Sequence, residues 1–85
     1  MSAEITLYTR KECCLCKAMK GVVVPIAQET GASVEEIDVD ASPDLQQKYG
    51  DEVPVLFING RKAFKYRVGA RELKDKITKE LRRRR

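Results

Sequence analysis

Three cysteines, Cys13, Cys14 and Cys16, fall within four residues of one another in a chain of 85 that has no other cysteine and no histidine. Cross-links that staple small secreted domains join distant segments, which these three cannot do. A single buried cysteine behaves as a small hydrophobe, but three in one short stretch point to reactive thiols or to metal binding. The Cys-x-x-Cys spacing of Cys13 and Cys16 lets a disulfide close across one helical turn without large strain. It therefore suits thiol–disulfide exchange, in which Cys13 as thiolate attacks a substrate disulfide and Cys16 attacks Cys13 to release the product. The same spacing is half of a zinc site, yet the second pair of ligands that a structural zinc requires is missing. A metal or iron–sulfur binding module remains the alternative. Clusters take about four thiolates, so it would need two chains sharing the cysteines. Cys14 reads as a loop residue without catalytic weight, with a second resolving role or a share in a soft-metal site such as Cu(I) left open.

The segments around the cysteines suit exchange. Ile5-Thr6-Leu7-Tyr8 alternates and is rich in strand formers, and Thr9 to Glu12 is a polar connection. From about Leu15 the apolar residues Leu15, Met19, Val22, Val23 and Ile26 recur at helical spacing. Pro25 is expected to kink that helix or to confine it to the preceding turns, and Gly31 to end it. The cysteines thus sit where a strand hands over to a helix. The unpaired amides and dipole of the helix N-terminus favour an anion there. Cys13 gains most from this position; Arg10, Lys11 and Lys17 add positive charge nearby and Glu12 opposes them.

Downstream, Ser33 to Val39 reads as a second strand with Val34, Ile37 and Val39 turned toward the core. Ser42-Pro43 starts a short helix that runs to Tyr49 and stops at Gly50. Val53 to Ile58 is nearly all apolar, the mark of a central strand covered on both faces. Asn59-Gly60 signals a hairpin, returning through Lys62 to Tyr66. Gly69 opens a last helix with Leu73, Ile77 and Leu81 on one face. The order β-α-β-α-β-β-α predicts an α/β domain, a four-stranded mixed sheet flanked by helices. A proline at the entrance of a central strand cannot donate to the sheet. Alone it would suit a plain trans proline beginning a strand; taken with the cysteine pair upstream and the hairpin downstream, the Val53-Pro54 bond is read as cis, leaving the Val53 backbone to pair with an extended substrate.

Length and charge narrow the classes further. At this length residues 1–85 are expected to form a single domain, with a basic tail at 82–85. No run of about 18 apolar residues exists to span a membrane as a helix. Met1-Ser2-Ala3-Glu4 carries an acid where an export signal would carry lysines, so a cytoplasmic location is expected. The net charge of +4 divides unevenly: 5 Lys/Arg against 10 Asp/Glu in residues 1–60, then 12 against 3 in residues 61–85. Arg82 to Arg85 read as a solvated helix end favoured by the dipole. With no interleaved aromatics or base-reading motif, nucleic acid is not the expected partner.

Leu7-Tyr8-Thr9-Arg10, Cys13-Cys14-Leu15-Cys16-Lys17 and Val53 through Gly60 together resemble a glutaredoxin-like member of the thioredoxin superfamily, over roughly residues 4 to 80. The resemblance implies the thioredoxin fold and a dithiol oxidoreductase with Cys13 as nucleophile, Cys16 as resolving thiol and Pro54 as the cis-proline. It implies a monomer without a bound cofactor, acting on protein or low-molecular-weight disulfides, with a reductase or glutathione as electron donor. Arg10 matches the basic residue that faces the glutathione glycine carboxylate. Gly69-Ala70 stands where the family carries the di-glycine that seats the γ-glutamyl end, and the family topology sets Arg67 and Arg71 beside the site, where they read equally as partners for substrate carboxylates or as plain surface arginines. The sequence departs from glutaredoxins where Cys14-Leu15 replaces Pro-Tyr between the cysteines, where Glu52 replaces threonine before Val53-Pro54, and where Ala70 replaces the second glycine; it differs from thioredoxins proper at Leu7, where they carry a buried acid.

Overall fold

The structure is a computed structural model and describes residues 3–83. Its elements follow as β1 (Glu4–Thr9), α1 (Cys14–Thr30), β2 (Ser33–Asp38), a 3-10 turn (Val39–Ala41), α2 (Pro43–Tyr49), β3 (Val55–Ile58), β4 (Arg61–Lys65) and α3 (Ala70–Arg83). The strands form one sheet in the order β2-β1-β3-β4. β1 runs parallel to β2, as a crossover through α1 requires, and antiparallel to β3, which pairs antiparallel with β4. This is the expected four-stranded mixed sheet. Arg84 and Arg85 of the basic tail lie outside the described residues.

Alternation along β1 sets the two layers. Ile5, Leu7 and Thr9 point to one face and are buried, and there Ile5 and Leu7 meet Met19, Val23, Ile26 and Ala27 of α1 together with Leu73 and Ile77 of α3. Leu56 and Ile58 of β3 complete that core. On the opposite face Tyr8 stacks on Tyr49 of α2 at 4.7 Å between ring centroids, and both meet Phe57 edge-on. Offset and edge-to-face contacts suit the ring quadrupoles, and they hold the short α2 against the sheet.

Several expectations are corrected. Of the two outcomes expected at Pro25, confinement of α1 to the preceding turns is overturned: the helix runs on to Thr30 with Pro25 inside it. The carbonyl that loses its donor is that of Gly21, and both residues are on the exposed side of the helix, while Val23, Ile26 and Ala27 anchor the turns around them in the core. Gly31 then ends the helix at φ +75°, a left-handed conformation that glycine adopts without steric cost. Val34 is not a core residue but 38% exposed. β2 is an edge strand, and the core centres on β1 and β3. Val39 is buried as expected but belongs to the 3-10 turn. Asn59 and Gly60, at φ +53° and +81°, have the paired left-handed conformations of a two-residue hairpin turn. Tyr66 leaves β4 rather than ending it, at φ +68°. Glu80 was not anticipated inside: it lies seven residues after Leu73 on the packed face of α3 and is 2% exposed. Its carboxylate is flanked by Arg61 at 3.8 Å and Lys76 at 3.6 Å. No helix among the described residues is long and apolar enough to cross a membrane.

Candidate redox site

The cysteines occupy the junction between β1 and α1. Glu12 turns the chain at φ +57°, and Cys13 follows in extended conformation as the N-cap of α1. An N-cap side chain ordinarily offers an oxygen to the amides of the first turn. Here the acceptor is sulfur: the Cys16 N–H donates to Cys13 Sγ at 3.2 Å. The Cys13 carbonyl accepts from Lys17 N–H at 3.2 Å. The first sulfur is thus held against the positive end of the helix, where an anionic sulfur accepts more strongly than a thiol. All three cysteines are free thiols, with Cys14 exposed, Cys13 half-buried and Cys16 buried.

Cys16 is a different kind of thiol. Burial pushes it from 9.0 up to about 11, helped by its hydrogen bond with Cys13 and opposed by a backbone hydrogen bond from Arg10. The folded chain therefore binds this proton more tightly than the unfolded chain does. Its contribution to stability is full below pH 9.0 and is lost as pH rises toward 11. Denaturant unfolding of the reduced protein across that interval should show this loss, and Cys16→Ser should remove it.

A cleft of about 360 Å³ opens beside Cys16, walled by Thr9, Arg10, Lys20 and Glu36 among others. Lys20 lies one turn after Cys16 and reaches Glu36 at 2.9 Å, while the Thr9 hydroxyl donates to the same carboxylate at 3.1 Å. The bond from Lys20, and then that from Thr9, hold the Glu36 carboxyl below its usual range. The sequence reading missed this cluster. Its signals were the i, i+4 spacing of Cys16 and Lys20 and the break in alternation at Glu35-Glu36.

Arg10 is committed within the chain. It meets Asp40 through Nη2 at 3.1 Å and Nε at 3.3 Å, and its Nη1 donates to the Gly50 carbonyl at 3.3 Å. It ties the loop before the cysteines to the turn before Val53, instead of presenting a free guanidinium to a ligand. Gly69, which precedes α3 instead of opening it, is similarly occupied. Its N–H donates to the Glu72 carboxylate at 3.2 Å, a common way of satisfying a helix N-terminus.

The Val53-Pro54 peptide is cis. Pairing of Tyr8 with Val55 sets Pro54 at the end of the sheet where β1 runs into the cysteine loop. The Pro54 carbonyl accepts from Tyr66 N–H at 2.8 Å, and no backbone partner exists for Val53 among the described residues. Tyr66 and Arg67 in turn line a groove with Leu15 from the cysteine segment. Cys13, Cys16, Val53, Pro54 and Arg67 are thereby gathered at one end of the sheet, with Arg67 exposed and without an ion pair among the described residues. Glu52 is braced by Lys62 at 3.0 Å and Lys65 at 3.3 Å. Among the described residues no group of three Cys, Asp or Glu side chains converges as a metal-ligand set.

Comparison with known proteins identifies the family and the fold. The model of the glutaredoxin-like domain (DUF836) matches residues 4–78. The glutaredoxin-like protein YDR286C homolog of Dictyostelium discoideum is 33% identical over 73 residues, spanning 79% of this chain and 68% of that one. Among solved structures, protein Ne2328 of Nitrosomonas europaea superimposes with a TM-score of 0.76 at 23% identity, covering 91% of this chain and 93% of the other. Thioredoxin 1 of Thermosipho africanus does so at 0.69 and 25% identity, covering 93% and 94%. With its fold and most of its length matched, the chain belongs to the glutaredoxin-like family of the thioredoxin superfamily.

Proposed function

We propose that the protein is a dithiol–disulfide oxidoreductase working through Cys13 and Cys16. The observation that carries this reading is the contact between them: an N-cap sulfur hydrogen-bonded to the amide of a second, buried cysteine one turn on. In the first step the Cys13 thiolate attacks a substrate disulfide, forming a mixed disulfide and releasing one substrate thiolate. Cys16 then gives up its proton and attacks Cys13 Sγ. The Cys13–Cys16 bond forms, the mixed disulfide breaks, and the second substrate thiolate leaves. The substrate gains two electrons and collects two protons, and the protein is left oxidised. Burial of Cys16 suits the order of events, since the thiol that is harder to ionise does not compete for the first attack.

The unpaired backbone of Val53 supports docking of an extended disulfide-bearing segment by strand-like hydrogen bonds. Electrons return from a dithiol donor or from glutathione. With Arg10 and the Gly69 amide already engaged, glutathione would have to use other donors, such as Lys11, Lys17 and Arg67. Free thiols of this kind suit a reducing compartment such as the cytoplasm. Titration of the thiols against redox buffers tests the reading, with one reversible Cys13–Cys16 disulfide as the expected product.

A further inference from the structure

Leu7 and Glu36 stand opposite each other in the parallel register of β1 and β2, so both point to the face that α1 covers. Leu7 is fully buried there and brings no charge to the second cysteine. Glu36, at the open edge, does. Its Oε1 accepts from Lys20 Nζ at 2.9 Å and its Oε2 from the Thr9 hydroxyl at 3.1 Å. Thr9 is buried on β1, and Lys20 lies one turn after Cys16 on α1. Both oxygens of the carboxylate are thereby pinned in the cleft of about 360 Å³ that Cys16 lines.

Other charges line the same cleft. Arg10, Lys11 and Glu12 come from the loop before α1, Lys17 from its first turn and Asp38 from the end of β2. Arg10 is held by Asp40, and the Asp38 carboxylate caps the 3-10 turn, accepting from Asp40 N–H at 2.9 Å. Burial, and then the hydrogen bond with Cys13, raise the Cys16 thiol, and Glu36 is the carboxylate whose charge adds to them.

We infer that Glu36 and Lys20 are opposed positioning residues of the resolving step, Glu36 holding Cys16 back as a thiol and Lys20 meeting its sulfur as the thiolate forms. Side chains four apart on a helix are neighbours, so Lys20 reaches either anion. With the cysteines free, Glu36 has it. This rests on the redox reading above and adds what sets the lifetime of its intermediate. When Cys16 resolves the mixed disulfide, its proton passes to solvent in the cleft. The freed electron pair forms the bond to Cys13 Sγ, and the bond from Cys13 to the substrate sulfur breaks. The substrate thiolate leaves with that pair and is protonated by solvent. Lys20 keeps its proton throughout and stabilises the Cys16 anion by charge alone, against the repulsion from Glu36. The mixed disulfide lasts longer while Glu36 holds the lysine.

The test gives an aromatic disulfide, dithiobis(nitrobenzoate), in substoichiometric amount to the reduced chain carrying Cys14→Ser. Attack by Cys13 releases one thionitrobenzoate and resolution by Cys16 releases the other, so two absorbance phases separate the steps. At this half-exposed site, screening limits the fall in the Cys16 titration midpoint caused by Glu36→Gln to about half to one pH unit. Lower nucleophilicity offsets nearly half of the gain in thiolate, so the later phase should quicken by about two- to fourfold at neutral pH. Lys20→Met, which leaves Glu36 uncompensated, should slow that phase by a similar factor, and Lys20→Arg should restore it. The earlier phase should keep its rate in every variant, and circular dichroism checks that each is folded. Loss of an ion pair that merely braces the fold would move both variants the same way. A later phase shifted in the same direction by Glu36→Gln and Lys20→Met, or by neither, would overturn the inference while leaving the oxidoreductase intact. A later phase equally fast in Cys16→Ser would instead remove the redox reading and this inference together.

Discussion

Cys13→Ser should lose disulfide reduction by about three orders of magnitude or more, since a serine hydroxyl neither ionises near neutral pH nor forms the covalent intermediate. The structure makes this substitution unusually clean. Cys13 is the N-cap of α1, its side chain accepting the Cys16 N–H, and serine is a preferred residue at that position. The helix should start as before, and the thermal midpoint should hold or rise slightly. Cys16→Ser should behave differently, allowing the first attack and leaving the substrate linked to Cys13 as a stable adduct visible by mass. Insulin reduction followed by turbidity, with the unfolding midpoint of each variant, checks both statements. If Cys13→Ser were as active as wild type, Cys13 would not be the nucleophile.

Leu56→Ala should cost about 2–5 kcal/mol of stability, the range for leucine truncated inside a close-packed core. Leu56 is fully buried at the middle of β3, paired with Leu7 on one side and Phe64 on the other. It is enclosed by strands on both edges and by the helical layer, so the cavity has little freedom to collapse. Domains of this size have only about 0.05–0.15 kcal/mol of stability per residue. Each kcal/mol moves the midpoint by about 4–8 °C, so a fall of more than about 10 °C is expected. Val34→Ala on the edge strand, a residue the sequence pattern wrongly places inside, should move it by no more than a few degrees. Thermal unfolding followed by circular dichroism separates the two.

Val34 shows where the sequence stopped being legible. Periodicity marks apolar positions on β2, but it does not say that β2 lies at an edge, which depends on β3 pairing with the other side of β1. Elements whose signals are local came through intact: the cysteine junction, the Ser42-Pro43 helix start, the Asn59-Gly60 turn and the apolar run of β3. Pro25 does not end α1, because tertiary packing on either side of it overrides the local rule. The cis Val53-Pro54 bond and the placing of Cys13 and Cys16 at the start of a helix were readable from spacing and resemblance. The bonds of Arg10 to Asp40 and the Gly50 carbonyl were not readable, because nothing in the linear sequence brings these groups together. The Thr9, Lys20 and Glu36 cluster and the left-handed Tyr66 were invisible for the same reason, each being made by contacts between segments far apart in sequence.

The claim on which the account turns is that Cys13 and Cys16 form a reversible couple. Equilibration of the protein in graded dithiol–disulfide buffers, with rapid alkylation and peptide mapping at each point, measures it directly. The account predicts a single two-electron transition with a midpoint between about −270 and −180 mV, the span of related dithiol proteins. The bond should map to Cys13 and Cys16, with Cys14 alkylated throughout. Thiols that stay reduced across that span, or a bond that runs through Cys14 in place of either partner, would contradict it.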